Sequence, residues 1–226
     1  MILECSPQDL SNTAWAFASL RVQDRPLLQA IAAAALRRMH EFGAQDLGNT
    51  AWAFATLEEV NVPLMEAISG GALAQIWKLT PQNMTNIAWA LATLGLRDAP
   101  LLDAMSAEAL PRMENFDVQN LANTSWAYAS LSVLNEPLRE ALSAAALRTM
   151  PQFGRQALSN TVWAFATVEL RDQPLFAAIS ERSIRTMSDF KSQNLSNTAW
   201  AFAKVGISDD TLLHAISGAA LLRLDE

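Results

Sequence analysis

Apolar and small residues return along this chain at helical spacing, in blocks that copy one another. In residues 6–42, Leu10, Ala14, Phe17 and Ala18 form one stripe, the pattern of an amphipathic helix. Ser6 precedes it as an N-cap and Pro7 as a first-turn proline, which lacks only a donor that is unpaired there anyway. This helix runs to about Leu20. A second block carries Leu27, Ala30, Ile31, Ala35, Leu36 and Met39, introduced by Asp24 as cap and Pro26 in the first turn. Short turns near 21–24 and 40–43 separate the helices, a length suited to antiparallel neighbours.

The hairpin then repeats. SNTAWAFASL at 11 returns as GNTAWAFATL at 48, TNIAWALATL at 85, ANTSWAYASL at 122, SNTVWAFATV at 159 and SNTAWAFAKV at 196. Trp15, Trp52, Trp89, Trp126, Trp163 and Trp200 each stand 37 residues after the last (52 − 15 = 37). Asn12, Asn49, Asn86, Asn123, Asn160 and Asn197 keep the step, as do Gln8, Gln45, Gln82, Gln119, Gln156 and Gln193. A fixed period of this size marks a stacked repeat protein. The predicted fold is all-α: an α-solenoid of six 37-residue helix-turn-helix repeats, hence twelve antiparallel helices. Residues 1–226 form one array, with repeats at 5–41, 42–78, 79–115, 116–152, 153–189 and 190–226. A right-handed sense follows by analogy with tetratricopeptide-like arrays.

Punctuation agrees in every copy. Thr80 and Pro81 repeat the Ser6–Pro7 start, Asp117 caps alone, and Gly43, Gly154 and Lys191 are weaker starts. Asp24, Asn61, Asp98, Asn135, Asp172 and Asp209 precede the second helices, with Thr211 replacing proline in the last. Ala16, Ala18 and Ala30 recur throughout and predict close helix approach. Phe42, Leu79, Phe116, Phe153 and Phe190 stand where they can staple each first helix to the hairpin. Met1 to Glu4 align with Arg38 to Glu41, so MILEC reads as the last turn of a repeat and not as a targeting peptide. The expectation is a segment of a longer array, or a form from which a targeting peptide is missing. The helix from Leu212 to Leu224 is as apolar as the internal ones, so more repeats, another domain or a partner copy should cover it.

Composition narrows the function. Hydrophobic residues make up 51% and charged residues 17%, a foldable composition. Cys5 is alone, so no internal disulfide forms and a reducing compartment is the simpler reading. No Cys/His cluster has metal-ligand spacing, no apolar run reaches a membrane span, and no cofactor is implied. His40 and His214 occupy unrelated slots, no phosphate loop or nucleophile constellation appears, and Glu58 and Glu59 read as a solvated helix end. The chain does not read as an enzyme. The net charge of −7 repels phosphate, so nucleic acid would need a local basic strip.

On a helical wheel Gln8, Asn12 and Ser19 share one sector, bordered by Trp15 on one side and by Ala16 and Asp9 on the other. Asn12, Asn49, Asn86, Asn123, Asn160 and Asn197 read as a structural ladder, with the six indoles filling the core between repeats. Trp89 and Trp126 in particular should be largely buried. The variable position in front reads Asp9, Asp46, Asn83, Asn120, Ala157 and Asn194. Its polar members either read bases, one set per repeat, or serve the first turn of the helix. The next variable position, Ser11, Gly48, Thr85, Ala122, Ser159 and Ser196, carries the same two readings. Arg37, Arg38, Lys78, Arg112, Arg148, Arg182, Arg185 and Arg223 gather near the second-helix ends. Of these, Arg38, Lys78, Arg112, Arg148, Arg185 and Arg223 are candidates for phosphate, beside the free N–H groups of the next helix, or else simply complement a helix dipole.

QDLSNTAWAFASL and its copies resemble the octotricopeptide and heptatricopeptide repeats, framed as "PQ-x-L-x-N-T-x-W-A-x-A-x-L" followed by a second helix. The 37-residue period fits the heptatricopeptide type, and the resemblance covers residues 5–226. It implies helical-hairpin repeats that bind RNA in a mitochondrion or plastid and support transcript processing, stability, translation or ribosome assembly. Such proteins usually carry basic surface and often an appended C-terminal domain related to nuclease folds; this chain is acidic, and the repeats take up residues 5–226. The expected partner is single-stranded RNA, about one nucleotide per repeat along the first helices. The alternative is a protein-binding scaffold in an organellar complex.

Overall fold

The computed structural model describes residues 4–222. Among them are twelve α-helices and no strand. In chain order these are α1 (Pro7–Ser19), α2 (Arg25–Arg38), α3 (Ala44–Thr56), α4 (Val62–Ala74), α5 (Pro81–Thr93), α6 (Ala99–Ala109), α7 (Val118–Ser130), α8 (Glu136–Thr149), α9 (Arg155–Thr167), α10 (Gln173–Arg185), α11 (Ser192–Lys204) and α12 (Asp210–Leu221). Odd numbers are the first helices of the repeats and even numbers the second. The all-α hairpin-repeat fold read from the period is the fold observed.

The caps explain the boundaries. Ser6, Thr80 and Asp117 accept the N–H of the third helical residue at 3.2, 3.2 and 2.7 Å, while Gly43, Gly154 and Lys191 supply no side-chain cap. The second helices are more uniform. Asp24, Asn61, Asp98, Asn135, Asp172 and Asp209 each accept the N–H three residues on, at 2.9–3.1 Å. Asp209 does so with Thr211 in the proline slot.

First helices end in a left-handed residue: Arg21, Glu58, Gly95, Ser132, Glu169 and Gly206, with φ from 53° to 68°. The N–H of the following residue returns to the fifth carbonyl back, as from Val22 to Phe17 at 2.9 Å, which closes the end. Glycine adopts this conformation freely; the other four side chains hold it at roughly 1–2 kcal/mol each. The second turn is not the plain loop expected near 40–43. A short 3-10 turn stands there instead, at Met39–Glu41, Ile76–Lys78, Leu110–Asn115, Met150–Gln152 and Met187–Asp189. Phe42, Leu79, Phe116, Phe153 and Phe190 follow and are all buried, as the staple reading requires.

The chain forms two compact units, Met1–Arg112 and Met113–Glu226. In the first, α3 packs between α1 and α5, and α4 between α2 and α6. In the second, α9 packs between α7 and α11, and α10 between α8 and α12. Each unit is thus a layer of first helices backed by a layer of second helices. First helices lie in closer contact with one another than second helices do. Small residues such as Ala51, Ala53 and Ala55, all buried, permit this approach. Leu10, Leu47, Met84, Leu121, Leu158 and Leu195 are buried at one register of these helices. Phe54, Leu91, Tyr128, Phe165 and Phe202 are buried at another, and the Phe202 ring meets Phe176 edge-on at 5.1 Å.

Candidate functional site

The repeated polar residues lie on the open side of the first-helix layer. All six glutamines, Gln8, Gln45, Gln82, Gln119, Gln156 and Gln193, are exposed. Asn12 is exposed, and Asn49, Asn86, Asn123, Asn160 and Asn197 are half-buried. One turn apart on a helix, these amides meet: Gln82 Nε2 donates to Asn86 Oδ1 at 2.8 Å and Gln156 Nε2 to Asn160 Oδ1 at 3.1 Å.

The indoles flank these amides and do not fill the core. Trp15 and Trp200 are 48% and 45% exposed. Trp52, Trp89, Trp126 and Trp163 are half-buried, so Trp89 and Trp126 are not the deeply buried anchors the sequence predicts. The interior at this level belongs to Phe54, Phe165 and Phe202. The indoles lean on each other instead. Ring centroids of Trp15 and Trp52 are 6.4 Å apart, those of Trp126 and Trp163 6.4 Å, and those of Trp163 and Trp200 6.3 Å, with planes inclined by 29–34°. Each ladder shows one edge to solvent.

The variable asparagines at the helix start have the opposite placement, while Asp9 is exposed and Asp46 half-buried. Asn83, Asn120 and Asn194 are 6%, 3% and 4% exposed. Their Oδ1 atoms accept the N-cap N–H of Thr80, Asp117 and Lys191 at 3.1, 3.3 and 3.0 Å. Asp9 and Asp46 take the same bond from Ser6 and Gly43 at 2.9 and 3.1 Å. The Ser6 hydroxyl, then its N–H, holds the Asp9 carboxyl below the ordinary aspartate range. In Asp46 and Asn194 the other end of the side chain reaches the preceding repeat. Ser11 donates to Asp46 Oδ1 at 2.9 Å, and Asn194 Nδ2 donates to the Ser159 hydroxyl at 2.9 Å. At Gly48 a Cβ would come within 3.3 Å of Asn83 Cα, so glycine admits the neighbouring helix. Asp9, Asp46, Asn83, Asn120 and Asn194, proposed from sequence to read bases, thus close caps, and Asp46 and Asn194 also join repeats.

The cations divide. Arg38 donates to the Cys5 carbonyl and pairs with Glu41 at 2.6 Å, and that hydrogen bond raises the Arg38 pKa. Arg112 donates to the Leu79 carbonyl at 2.9 Å and pairs with Glu108 at 3.1 Å. Gln75 makes the same reach to Phe42 at 2.9 Å, and Arg182, one turn earlier in the repeat, reaches Phe153 at 3.2 Å. Each of these side chains ties the end of a second helix to the start of its own repeat. Arg38 and Arg112 are therefore struts, not free phosphate ligands. Arg185 pairs with Glu181 at 2.5 Å. Lys78 and Arg148 are exposed at the repeat ends. Arg223 lies outside the described residues. The six cations grouped from sequence do not share one register: Arg38, Arg112 and Arg223 do (38 + 74 = 112, 112 + 111 = 223), whereas Lys78, Arg148 and Arg185 do not.

One column escaped the sequence reading. Ser69, Ser106, Ser143, Ser180 and Ser217 recur every 37 residues in the second helices. Ser69 donates to Asp98 Oδ2, Ser143 to Asp172 Oδ2 at 2.5 Å and Ser180 to Asp209 Oδ2 at 2.5 Å. Each aspartate thereby caps its own helix with one oxygen and binds the previous repeat with the other. The shared period of Ser and Asp was the signal.

No group of three or more metal-ligating side chains is present among the described residues, and no helix there is long and apolar enough to cross a membrane. A groove of about 300 Å³ beside α8 and α10 is lined by Leu147, Met150, Glu181, Arg182 and Arg185, whose cations are held as described.

A family model for the RNA-editing substrate-binding complex 6 protein matches residues 2–224. No curated protein matches the chain.

Proposed function

Since this chain belongs to the RNA-editing substrate-binding complex 6 protein family, we propose that its first-helix face binds single-stranded RNA within an RNA-editing or related transcript-processing complex of a mitochondrion or plastid. The observation that carries this reading is the solvent-facing ladder of indoles flanked by glutamine and asparagine amides. Indole faces and edges give bases a sequence-tolerant platform, worth about 1–3 kcal/mol per stacked base. Neighbouring amides offer a donor and an acceptor each to base edges. The organellar location rests on the repeat resemblance.

Phosphate plays a minor part in this mode. Arg38 and Arg112 already serve backbone carbonyls, which leaves Arg37, Lys78 and Arg148 among the exposed junction cations. Binding then has a shallow salt dependence, unlike that of a basic-groove protein. A second reading, a peptide-binding scaffold, draws support from the net charge of −7. Titration with a random single-stranded RNA pool, read by tryptophan quenching and repeated across a salt series, separates the two. Saturable quenching that is lost on changing Trp52 and Trp163 to Ala supports the RNA reading. RNA that leaves the indole signal unchanged at low salt overturns it.

A further inference from the structure

The solvent-reaching side of the first helices is the same from one repeat to the next. In α7 the residues that are not buried are Val118, Gln119, Asn123, Trp126 and Ser130. In α9 they are Arg155, Gln156, Asn160, Trp163 and Thr167. Val118 and Arg155, the pair that differs in chemistry, stand about 100° around the helix from the glutamine. The glutamine, asparagine, indole and hydroxyl share one sector roughly 60° wide.

The positions that vary are withdrawn from that sector. Asn83, Asn120 and Ala157 are buried in α5, α7 and α9. Gly48, Thr85, Ala122 and Ser159, at the next variable position, are buried as well. Asp46 is half-buried, and its two oxygens are taken by the Gly43 N–H and the Ser11 hydroxyl. A nucleotide lying on α9 therefore meets the same groups as one lying on α7. A face built this way cannot spell a mixed sequence, but it can repeat one preference.

The repeated groups also choose among bases. An indole favours the larger rings of purines, since stacking strength sets such preferences. The bond from Gln156 Nε2 to Asn160 Oδ1, at 3.1 Å, fixes the amide pair. It leaves the glutamine oxygen to accept and the asparagine Nδ2 to donate. Adenine presents the complement, an amino donor beside a ring-nitrogen acceptor, which is the edge that amide side chains read. Guanine presents two acceptors and calls for a guanidinium, and Arg38 and Arg112 are held on backbone carbonyls.

We propose that the first-helix face selects an oligoadenylate tract, with each repeat making the same contacts to one adenine. The base stacks on the indole, its 6-amino group donates to the glutamine oxygen, and a ring nitrogen accepts from the asparagine Nδ2. This rests on the RNA-binding reading above and adds the class of RNA.

Fluorescence anisotropy of labelled single-stranded RNAs of equal length, titrated with the 226-residue chain, tests it. The probes are oligo(A), oligo(U), oligo(C), a mixed sequence without adenine runs, and a purine-riboside tract that keeps the purine ring but lacks the 6-amino group. Oligo(A) should bind about tenfold or more tighter than the mixed and pyrimidine sequences. The purine-riboside tract should fall to the level of the mixed sequence. Asn123→Ala and Asn160→Ala should each weaken oligo(A) by a similar factor and leave the mixed sequence unchanged, with thermal melting by circular dichroism verifying that each variant is folded. Equal affinity for all probes overturns the tract proposal and leaves RNA binding in place. So does tighter binding of a pyrimidine tract, a purine-riboside tract as strong as oligo(A), or asparagine variants that weaken every sequence alike. If no probe binds at low salt, the RNA-binding reading itself falls and the tract proposal with it.

Discussion

Two polar columns run along the first helices of each unit, and they use much the same chemistry to opposite ends. The column of glutamines, asparagines and indoles repeats almost without variation and faces solvent. The column at the helix start varies between Asp, Asn and Ala, and three of its members, Asn83, Asn120 and Asn194, are buried. An amide in the first column lies beside another amide or an indole. An amide in the second accepts a backbone N–H and, at Asn194, donates to the repeat before it. Variation is tolerated where an Asp, an Asn or a bare alanine can all end a helix; uniformity holds where one surface is presented along a whole layer. Repetition in such a chain marks a face as readily as a core.

Changing Trp52 and Trp163 together to Ala should produce the largest difference between the columns. RNA affinity should fall by about 2–6 kcal/mol, two stacking contributions, with a far smaller proportional effect on the melting curve. A loss confined to stability would return the indoles to the scaffold. Asn194→Ala should invert that profile. The N-cap N–H of Lys191 and the Ser159 hydroxyl lose their partner, which costs about 1–2 kcal/mol of folding stability in chemical denaturation. RNA affinity per folded molecule should stay as it was.

The cations sharpen the contrast further. Arg112→Ala removes the strut to the Leu79 carbonyl and should cost about 1 kcal/mol of stability while leaving the salt slope of RNA binding unchanged. Lys78→Ala or Arg148→Ala should lower that slope by about one unit for each phosphate actually touched, and leave stability alone. The smallest effect concerns acid. Hydrogen bonds from Ser6 hold Asp9, and the Lys204 ammonium holds Glu169, below their ordinary carboxyl values. Groups depressed on folding stabilise the fold above their ordinary pKa, and that contribution disappears as pH falls through the lowered value. The protection of α1 amides, taken relative to their intrinsic exchange rate at each pH, should therefore fall at acid pH, and Asp9→Asn should flatten that response.

The sequence made the hairpins legible because caps and prolines act locally. Asp24 and its equivalents cap second helices in every repeat, and the staple residues from Phe42 to Phe190 are buried as their positions require. The side toward which Trp15 turns was not legible. It borders the polar sector on a wheel, and its burial depends on how closely α1 and α3 approach, which alanines such as Ala51 and Ala53 determine from the other side. Arg38 and Arg112 misled for a related reason. A guanidinium at a helix end reads as a free charge until its reach to a carbonyl 33 residues earlier is visible. The register shared by Arg38, Gln75 and Arg112, all long donors, was the available signal.

Ser143 to Asp172 and Ser180 to Asp209 both span 29 residues, Ser11 to Asp46 and Ser159 to Asn194 both span 35, and the indoles step by 37. Heredity can act on such a chain in whole blocks. A recombination event that adds or removes one 37-residue module inside a unit carries donors and acceptors together, and the new neighbours meet the partners they already expect. A single inserted residue within a first helix is the harsher lesion, because it turns everything beyond it by about 100° and swings the next indole off its ladder.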